Sequence, residues 1–104
     1  MKTKLLYLTA SSEKEAVEIS RIVTTERLAA CANVLGKIKS IYYWDEQCQE
    51  TTEFAVILKT SEKNTKLLID RITEIHSYEC PCIIVSDITD GHMNFLNWIN
   101  TQTK

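Results

Sequence analysis

Between residues 76 and 82 the chain reads His76-Ser77-Tyr78-Glu79-Cys80-Pro81-Cys82, the richest concentration of ligand types in the sequence. An imidazole, a phenol, a carboxylate and two thiols stand side by side. If the backbone is extended there, Cys80 and Cys82 point to one side by the two-residue period, and soft thiolates with an imidazole suit Cu(I) or Zn(II). An ion bound at this stretch is expected to use His76 with Cys80 or Cys82. The competing reading makes both thiols small buried hydrophobes flanking a proline, and His76 a helix-end residue facing the helix dipole. A C-x-C pair is a weak motif and leaves both readings open.

The other reactive residues have ordinary explanations. Cys31 lies in an apolar run and reads as core, and Cys48 falls at a hairpin tip as a surface thiol with no partner. His92 follows Asp90-Gly91 as a turn histidine, Trp44 and Trp98 read as packing anchors, and Glu26-Arg27 reads as a surface pair at a helix end with a structural role open. No C-x-x-C occurs, which removes the thioredoxin-type redox motif and the common zinc knuckle. The only glycines are Gly36 and Gly91, so an acylphosphatase-like enzyme would lack its glycine-rich anion loop. Nothing in the residue order arranges a nucleophile, a base and an orienting group, and no enzyme is expected.

The chain has 104 residues, 44% of them apolar and 25% charged, which suits a single domain spanning 1–104 with a full-sized core. A net charge of −2 gives no reason to expect nucleic acid or an anionic membrane as partner. There is no apolar run of the ~18 residues that a membrane span needs, and a cytoplasmic protein with reduced cysteines is the simplest expectation.

These residues must be held by elements that the hydrophobic pattern predicts. Lys4–Ala10 is apolar on both alternating sets, as a central strand would be. Ser12 with Glu15 forms a capping box, after which Ala16, Ile19 and Val23 line one face of a helix to about Arg27. Leu28–Thr60 reads as one outsized β-hairpin, interrupted by polar residues only over Asp45–Glu50, with Gly36 as a place for a bulge. Fully extended, its first arm would reach roughly 55 Å, whereas a domain of this size has a radius of gyration of only about 13 Å. The hairpin should therefore overhang its own body, and its tip at Tyr42, Tyr43 and Trp44 needs covering by another copy. A second helix from Thr65 to His76, a strand over Ile83–Ile88, a turn at Asp90-Gly91 and a short helix Met93–Asn100 follow, with Phe95, Leu96 and Ile99 inward and the tail from Thr101 frayed. The order β-α-β-β-α-β with a short C-terminal helix is an α+β ferredoxin-like sandwich with an extended β2-β3 hairpin.

The chain resembles CutA, the divalent-cation tolerance family, along nearly its whole length. Glu26–Asn33 (ERLAACAN), Ser40–Trp44 (SIYYW), Ile57–Thr60 (ILKT), His76–Pro81 (HSYECP) and Phe95–Ile99 (FLNWI) carry the resemblance. It implies tight homotrimers built through the long hairpin, bacterial cytoplasm, a link to tolerance of copper and other divalent metals, and copper binding in some members. The ligand positions of bacterial relatives fall on Leu8, Ile75 and His76, of which only His76 can ligate; Ser77 and Cys82 depart from the usual H-P-Y-E-x-P-E string. The resemblance also implies an intersubunit cavity around Lys59, Tyr78 and Glu79, with Trp44 and Cys31 supplied by a neighbouring copy. Such a cavity suits a small anionic or zwitterionic ligand; the competing reading is a Lys59–Glu79 salt bridge across the interface with a satisfied tyrosine hydroxyl. Two functions follow: a trimer that binds a divalent or copper ion weakly in metal tolerance, or a small-ligand-responsive signalling adaptor of PII-like architecture. The second rests on fold analogy alone.

Overall fold

Leu6, Leu8 and Ala10 alternate along the first strand and are fully buried, which determines the face of the sheet that receives the helices. The structure, a computed structural model, describes residues 2–104. It runs β1 (Thr3–Ala10), α1 (Glu13–Thr25), β2 (Cys31–Trp44), β3 (Gln47–Ser61), a 3-10 turn (Glu62–Asn64), α2 (Thr65–Ile75), β4 (Ile83–Ile88) and α3 (Met93–Gln102). The strands pair antiparallel in the order β2-β3-β1-β4, the ferredoxin-like α+β arrangement expected, with β1 in the interior as its doubly apolar pattern required. Among the described residues no helix is long and apolar enough to cross a membrane.

Helix α1 starts at Ser12, whose Oγ accepts the Glu15 N–H at 3.1 Å. The return arm of the capping box reaches one residue further back, where the Glu15 carboxylate accepts the backbone N–H and the hydroxyl of Ser11, each at 3.0 Å. Ala16, Ile19 and Val23 of α1 and Leu68 and Ile72 of α2 close over Leu6, Leu8, Val56 and Leu58 as one core. The helix stops at Thr25, short of the expected Arg27, because Arg27 takes a left-handed φ of 61° that no right-handed helix can continue. Glu26 and Arg27 turn out to be ties between elements. Glu26 accepts both arms of the Arg71 guanidinium of α2 at 2.9 Å, and Arg27 donates to the carbonyls of Gln102 and Thr101 at 2.8 and 3.0 Å, capping α3.

The hairpin is longer than its polar residues suggested. Asp45–Glu50 was expected as the interruption, yet Gln47–Glu50 continue the ladder opposite Trp44–Ile41 and only Asp45 and Glu46 turn, since backbone pairing is indifferent to side-chain polarity. Gly36, at φ 98°, accommodates the bulge that skips Leu35 between Val34 and Gly36. The overhang is visible in the overall dimensions, 44 Å along one axis against 25 and 22 Å along the others. At its end Ile41, Tyr43 and Trp44 are 64%, 76% and 63% exposed, so Trp44 anchors nothing within its own chain.

The C-terminal end corrects two expectations. The tail does not fray: α3 runs to Gln102, Thr103 is buried, the Lys104 N–H donates to the Arg27 carbonyl at 3.0 Å and the Asn64 amide donates to the Lys104 carbonyl. Partners on α1 and on the turn before α2 hold what the sequence alone would leave loose. Phe95, expected inward beside Leu96 and Ile99, is exposed and stacks on Trp98 with ring centroids 5.6 Å apart. The helix seats itself through Ile99, which leaves its first turn uncovered.

The two-residue loop places Asp45 and Glu46 at φ 53° and 61°, a turn geometry that favours Asn-Gly. Glu46→Gly is expected to raise stability by about 1 kcal/mol by relieving the left-handed residue, read as a higher urea midpoint at unchanged m-value. A lower midpoint would show that the Glu46 side chain holds the tip.

Candidate functional site

His76 caps the C-terminus of α2, and its side chain is fully buried. Nε2 lies 2.7 Å from the Thr9 carbonyl, which only accepts, so Nε2 carries the proton. Nδ1 then presents its lone pair to the backbone N–H of Tyr78 at 3.0 Å. Both nitrogens of a neutral ring are thus engaged within the fold, one to the end of β1 and one to the segment that leaves α2. A metal at His76 would have to displace one of these bonds, so the histidine does not fit the ligand role that its position suggested.

Glu15 braces the same junction from α1. Its Oε2 accepts the Ser77 N–H at 2.8 Å and stands 3.8 Å from His76 Nδ1. Burial works to raise the Glu15 pKa, but hydrogen bonds from Ser11 and Ser77 outweigh it and hold the carboxyl at about 2. A shallow pocket of about 270 Å³ opens beside this carboxylate, lined by Ser11, Ser12, Lys14, Glu15, Ile19 and Ile75 among others.

Tyr78, positioned by His76, reaches back over the sheet. Its ring centroid is 4.8 Å from that of His76, and its hydroxyl donates to Glu53 Oε2 at 2.8 Å. Burial and the bond to Glu53 both push the phenol up from its ordinary pKa. Tyr7 is also raised, first by burial and then by the charges of Cys82 and Glu53. In β3 the odd positions Glu53, Ala55, Ile57 and Lys59 alternate with the core residues Phe54, Val56 and Leu58. Tyr7, Glu53, Tyr78 and Cys82 are therefore neighbours on the sheet face turned away from the helices.

The other expected site residues are dispersed. Cys80 and Cys82 are free thiols exposed on the single chain, and neither is buried within it. Glu79 is exposed, and Tyr78 takes Glu53 in its place. Within the chain Lys59 donates to the Asn33 side-chain carbonyl. Cys31 sits half-buried opposite Lys59 in the β2–β3 ladder, whereas Trp44 lies at the far end of the same strand, about 43 Å away at ~3.3 Å per residue. Only a second copy can bring Trp44 to that end. Leu8 is fully buried and Ile75 packs on the core, so two of the three positions to which the resemblance assigned ligands are hydrocarbon here. Cys48 is exposed opposite Tyr43, and His92 is exposed ahead of α3. Among the described residues no three His, Cys, Asp or Glu side chains converge as a metal-binding group.

Sequence reasoning missed Glu53 and Thr9. Strand alternation along Thr51–Thr60 puts Glu53 on the face of Lys59, but that its partner is Tyr78 depends on how the 76–82 segment crosses the sheet. Thr9 acts through its backbone carbonyl, for which no residue type is diagnostic.

The family model described as CutA1 divalent ion tolerance protein matches residues 4–102. The divalent-cation tolerance protein CutA of Archaeoglobus fulgidus is 38% identical over 99 residues, covering 95% of this chain and 96% of that protein. A protein CutA homolog of Danio rerio is 36% identical over 95 residues, 91% of this chain, and the chain spans only 63% of that relative's length. Among solved structures, the divalent ion tolerance protein CutA1 from Ehrlichia chaffeensis matches with a TM-score of 0.94 at 37% identity, covering 100% of this chain and 98% of that one. The A. fulgidus structure, described as a periplasmic divalent cation tolerance protein, matches with a TM-score of 0.94 at 35% identity, covering 98% and 99% of the two chains.

The Glu15 brace has a pH signature. A carboxyl depressed from 4.5 to about 2 in the folded state contributes stability that is fully present above pH 4.5 and is lost as pH falls towards 2. The loss is expected to be on the order of 3 kcal/mol. Denaturant melts of wild type and Glu15→Gln between pH 6 and 2 should converge at the acid end; parallel curves would contradict the brace.

Proposed function

This chain belongs to the CutA1 divalent ion tolerance family, and from that premise we propose that it is a cytoplasmic homotrimer that binds copper or another divalent ion weakly and contributes to metal tolerance. Its activity is binding, not turnover: His76 is committed to the backbone, and Tyr78 and Glu53 are committed to each other.

One observation carries the assembly. The β2–β3 hairpin overshoots the body with Ile41, Tyr43 and Trp44 uncovered. The sheet also has two free edges, because β2 pairs only with β3 and β4 only with β1. Setting the β4 edge of one copy on the β2 edge of the next is a head-to-tail contact, the kind that closes into a ring; three copies is the number the resemblance implies. β2 has 14 residues and β4 has 6, so the remaining length of β2 is left to wrap the neighbour and carry Trp44 to the open face near its Lys59 and Cys31. The compartment is supported by four unpaired cysteines, three of them exposed, which suit a reducing environment.

A second reading draws on Tyr78 and Glu53, a polar pair on a face otherwise lined by Ile57, Ile84 and Ala55. Enclosed by a neighbour, this pair with Lys59 and Cys31 would form a cavity for a small ligand, as a PII-like adaptor needs. A crystal of the assembled protein soaked with metabolite mixtures would favour this reading if density joined Tyr78 and Glu53, and would weaken it if the cavity held only solvent.

Sedimentation equilibrium is expected to give three times the chain mass for wild type and one chain mass for Ile41→Asp/Trp44→Asp, with a fall in melting temperature. A wild-type protein that sediments as a single chain would end the trimer proposal. Cells lacking the protein should lose tolerance to copper salts and regain it on complementation; unchanged growth would remove the metal role.

A further inference from the structure

Resting on the metal-tolerance reading, we propose that the ion best suited to this chain is thiophilic and two-coordinate, Cu(I) being the reference case, held between the thiolates of Cys80 and Cys82 with no ligand from His76.

The argument begins with what pins the segment. Ser77 is held through its N–H by Glu15 at 2.8 Å, and Tyr78 through its N–H by His76 at 3.0 Å and through its hydroxyl by Glu53 at 2.8 Å. The chain thus leaves α2 from a braced base, and beyond it Glu79, Cys80 and Cys82 are exposed while Pro81 is half-buried. Rejoining the sheet at Ile83, opposite Leu8, anchors the far side. Two accessible thiols are therefore presented on a short connection that is fixed at both ends.

Pro81 holds its own φ near −65°, and the chain bends at Glu79 and Cys80 before it straightens into β4. Residues two apart have α-carbons at most about 7 Å apart, the value of a fully extended chain, and a bend brings them closer. A linear sulfur–metal–sulfur unit places its sulfurs roughly 4.6 Å apart, twice a metal–thiolate bond of about 2.3 Å, a separation that two cysteine arms on such a chain can meet.

Ion choice follows from the ligand set. Thiolates select soft ions. A structural zinc site needs four ligands, and among the described residues no three His, Cys, Asp or Glu side chains converge. Two thiolates complete a linear site for a soft monovalent ion, and each thiol releases one proton to solvent as its sulfur–metal bond forms. Recruiting His76 would cost its bond to Thr9 or to Tyr78 and would unpin the segment that presents the thiols.

The test uses the reduced full chain, Cu(I) alone under anaerobic conditions and a chromophoric Cu(I) chelator as competitor. One Cu(I) per chain is expected, protecting Cys80 and Cys82 from alkylation while Cys48 still reacts, as mapped by mass spectrometry. Cys80→Ser/Cys82→Ser should weaken binding by more than the roughly 100-fold that loss of a merely supporting residue costs. His76→Gln, whose amide offers an N–H to the Thr9 carbonyl and an oxygen to the Tyr78 N–H, should retain the stoichiometry. Protection of Cys31 or Cys48 in place of the pair, or loss of Cu(I) from a folded His76→Gln protein, would overturn the proposal. Zn(II) or Cu(II) retained while both thiols remain open to alkylation would overturn the thiolate site and leave the metal-tolerance reading standing. Retention of no metal of any kind would overturn both.

Discussion

The structure depends on a mismatch of lengths between its two layers. Helix α1 has 13 residues and rises about 20 Å at 1.5 Å per residue, whereas β3 has 15 residues and runs roughly 50 Å at 3.3 Å per residue. A two-helix layer covers less than half of such a strand. Core residues are accordingly confined to the end of the hairpin nearest β1, from Ala10, Val56 and Leu58 to Ala32, and burial falls away along β2 beyond the Gly36 bulge. The bulge matters because skipping Leu35 resets the alternation, so that Ile38, Tyr42 and Trp44 continue the open face on which Cys31 and Lys59 begin. Apolar area that the helices cannot reach is thereby collected on two surfaces, the sheet face and the hairpin tip.

At the junction of α1, α2 and the end of β1, residues with reactive side chains are used to hold the backbone. His76 bridges the Thr9 carbonyl and the Tyr78 N–H, Glu15 collects the N–H groups of Ser11 and Ser77, and Tyr78 transmits the arrangement to Glu53 on the neighbouring strand. The bond from His76 to Thr9 satisfies a buried carbonyl, and the bonds of Glu15 to Ser11 and Ser77 tie exposed backbone to α1. The chemistry of the 76–82 segment is divided by this. Its imidazole and phenol are structural, while its thiols, outside the braced part, stay free to react.

A second set of ties joins the three helices at their ends. Glu26 receives the Arg71 fork of α2, and Arg27, turned into a left-handed conformation, directs its guanidinium at the last carbonyls of α3 and its own carbonyl at Lys104. Charge and hydrogen bonding replace apolar burial where α3 has little to offer, since Phe95 and Trp98 stack on each other in solvent and Ile99 alone is fully buried.

Element types and their order were legible in the residues, because alternation in Lys4–Ala10, helical spacing of Ala16, Ile19 and Val23, and the breaks at Pro81 and Gly91 are local properties of the chain. So was the excess length of the hairpin, which needs only a residue count and a rise per residue. That residues 76–82 gather an imidazole, a phenol, a carboxylate and two thiols was legible as composition, but what each group bonds to was not. His76 is bonded to Thr9, 67 residues away, and Tyr78 to Glu53, 25 residues away, and such meetings exist only once helices and strands have packed. The tail was misjudged for the same reason, its partners Arg27 and Asn64 lying far off in sequence. Short-range periodicity decided what the pieces are; long-range packing decided which nitrogen, oxygen and sulfur atoms were left unspent, since a lone pair is committed only when its partner arrives in space.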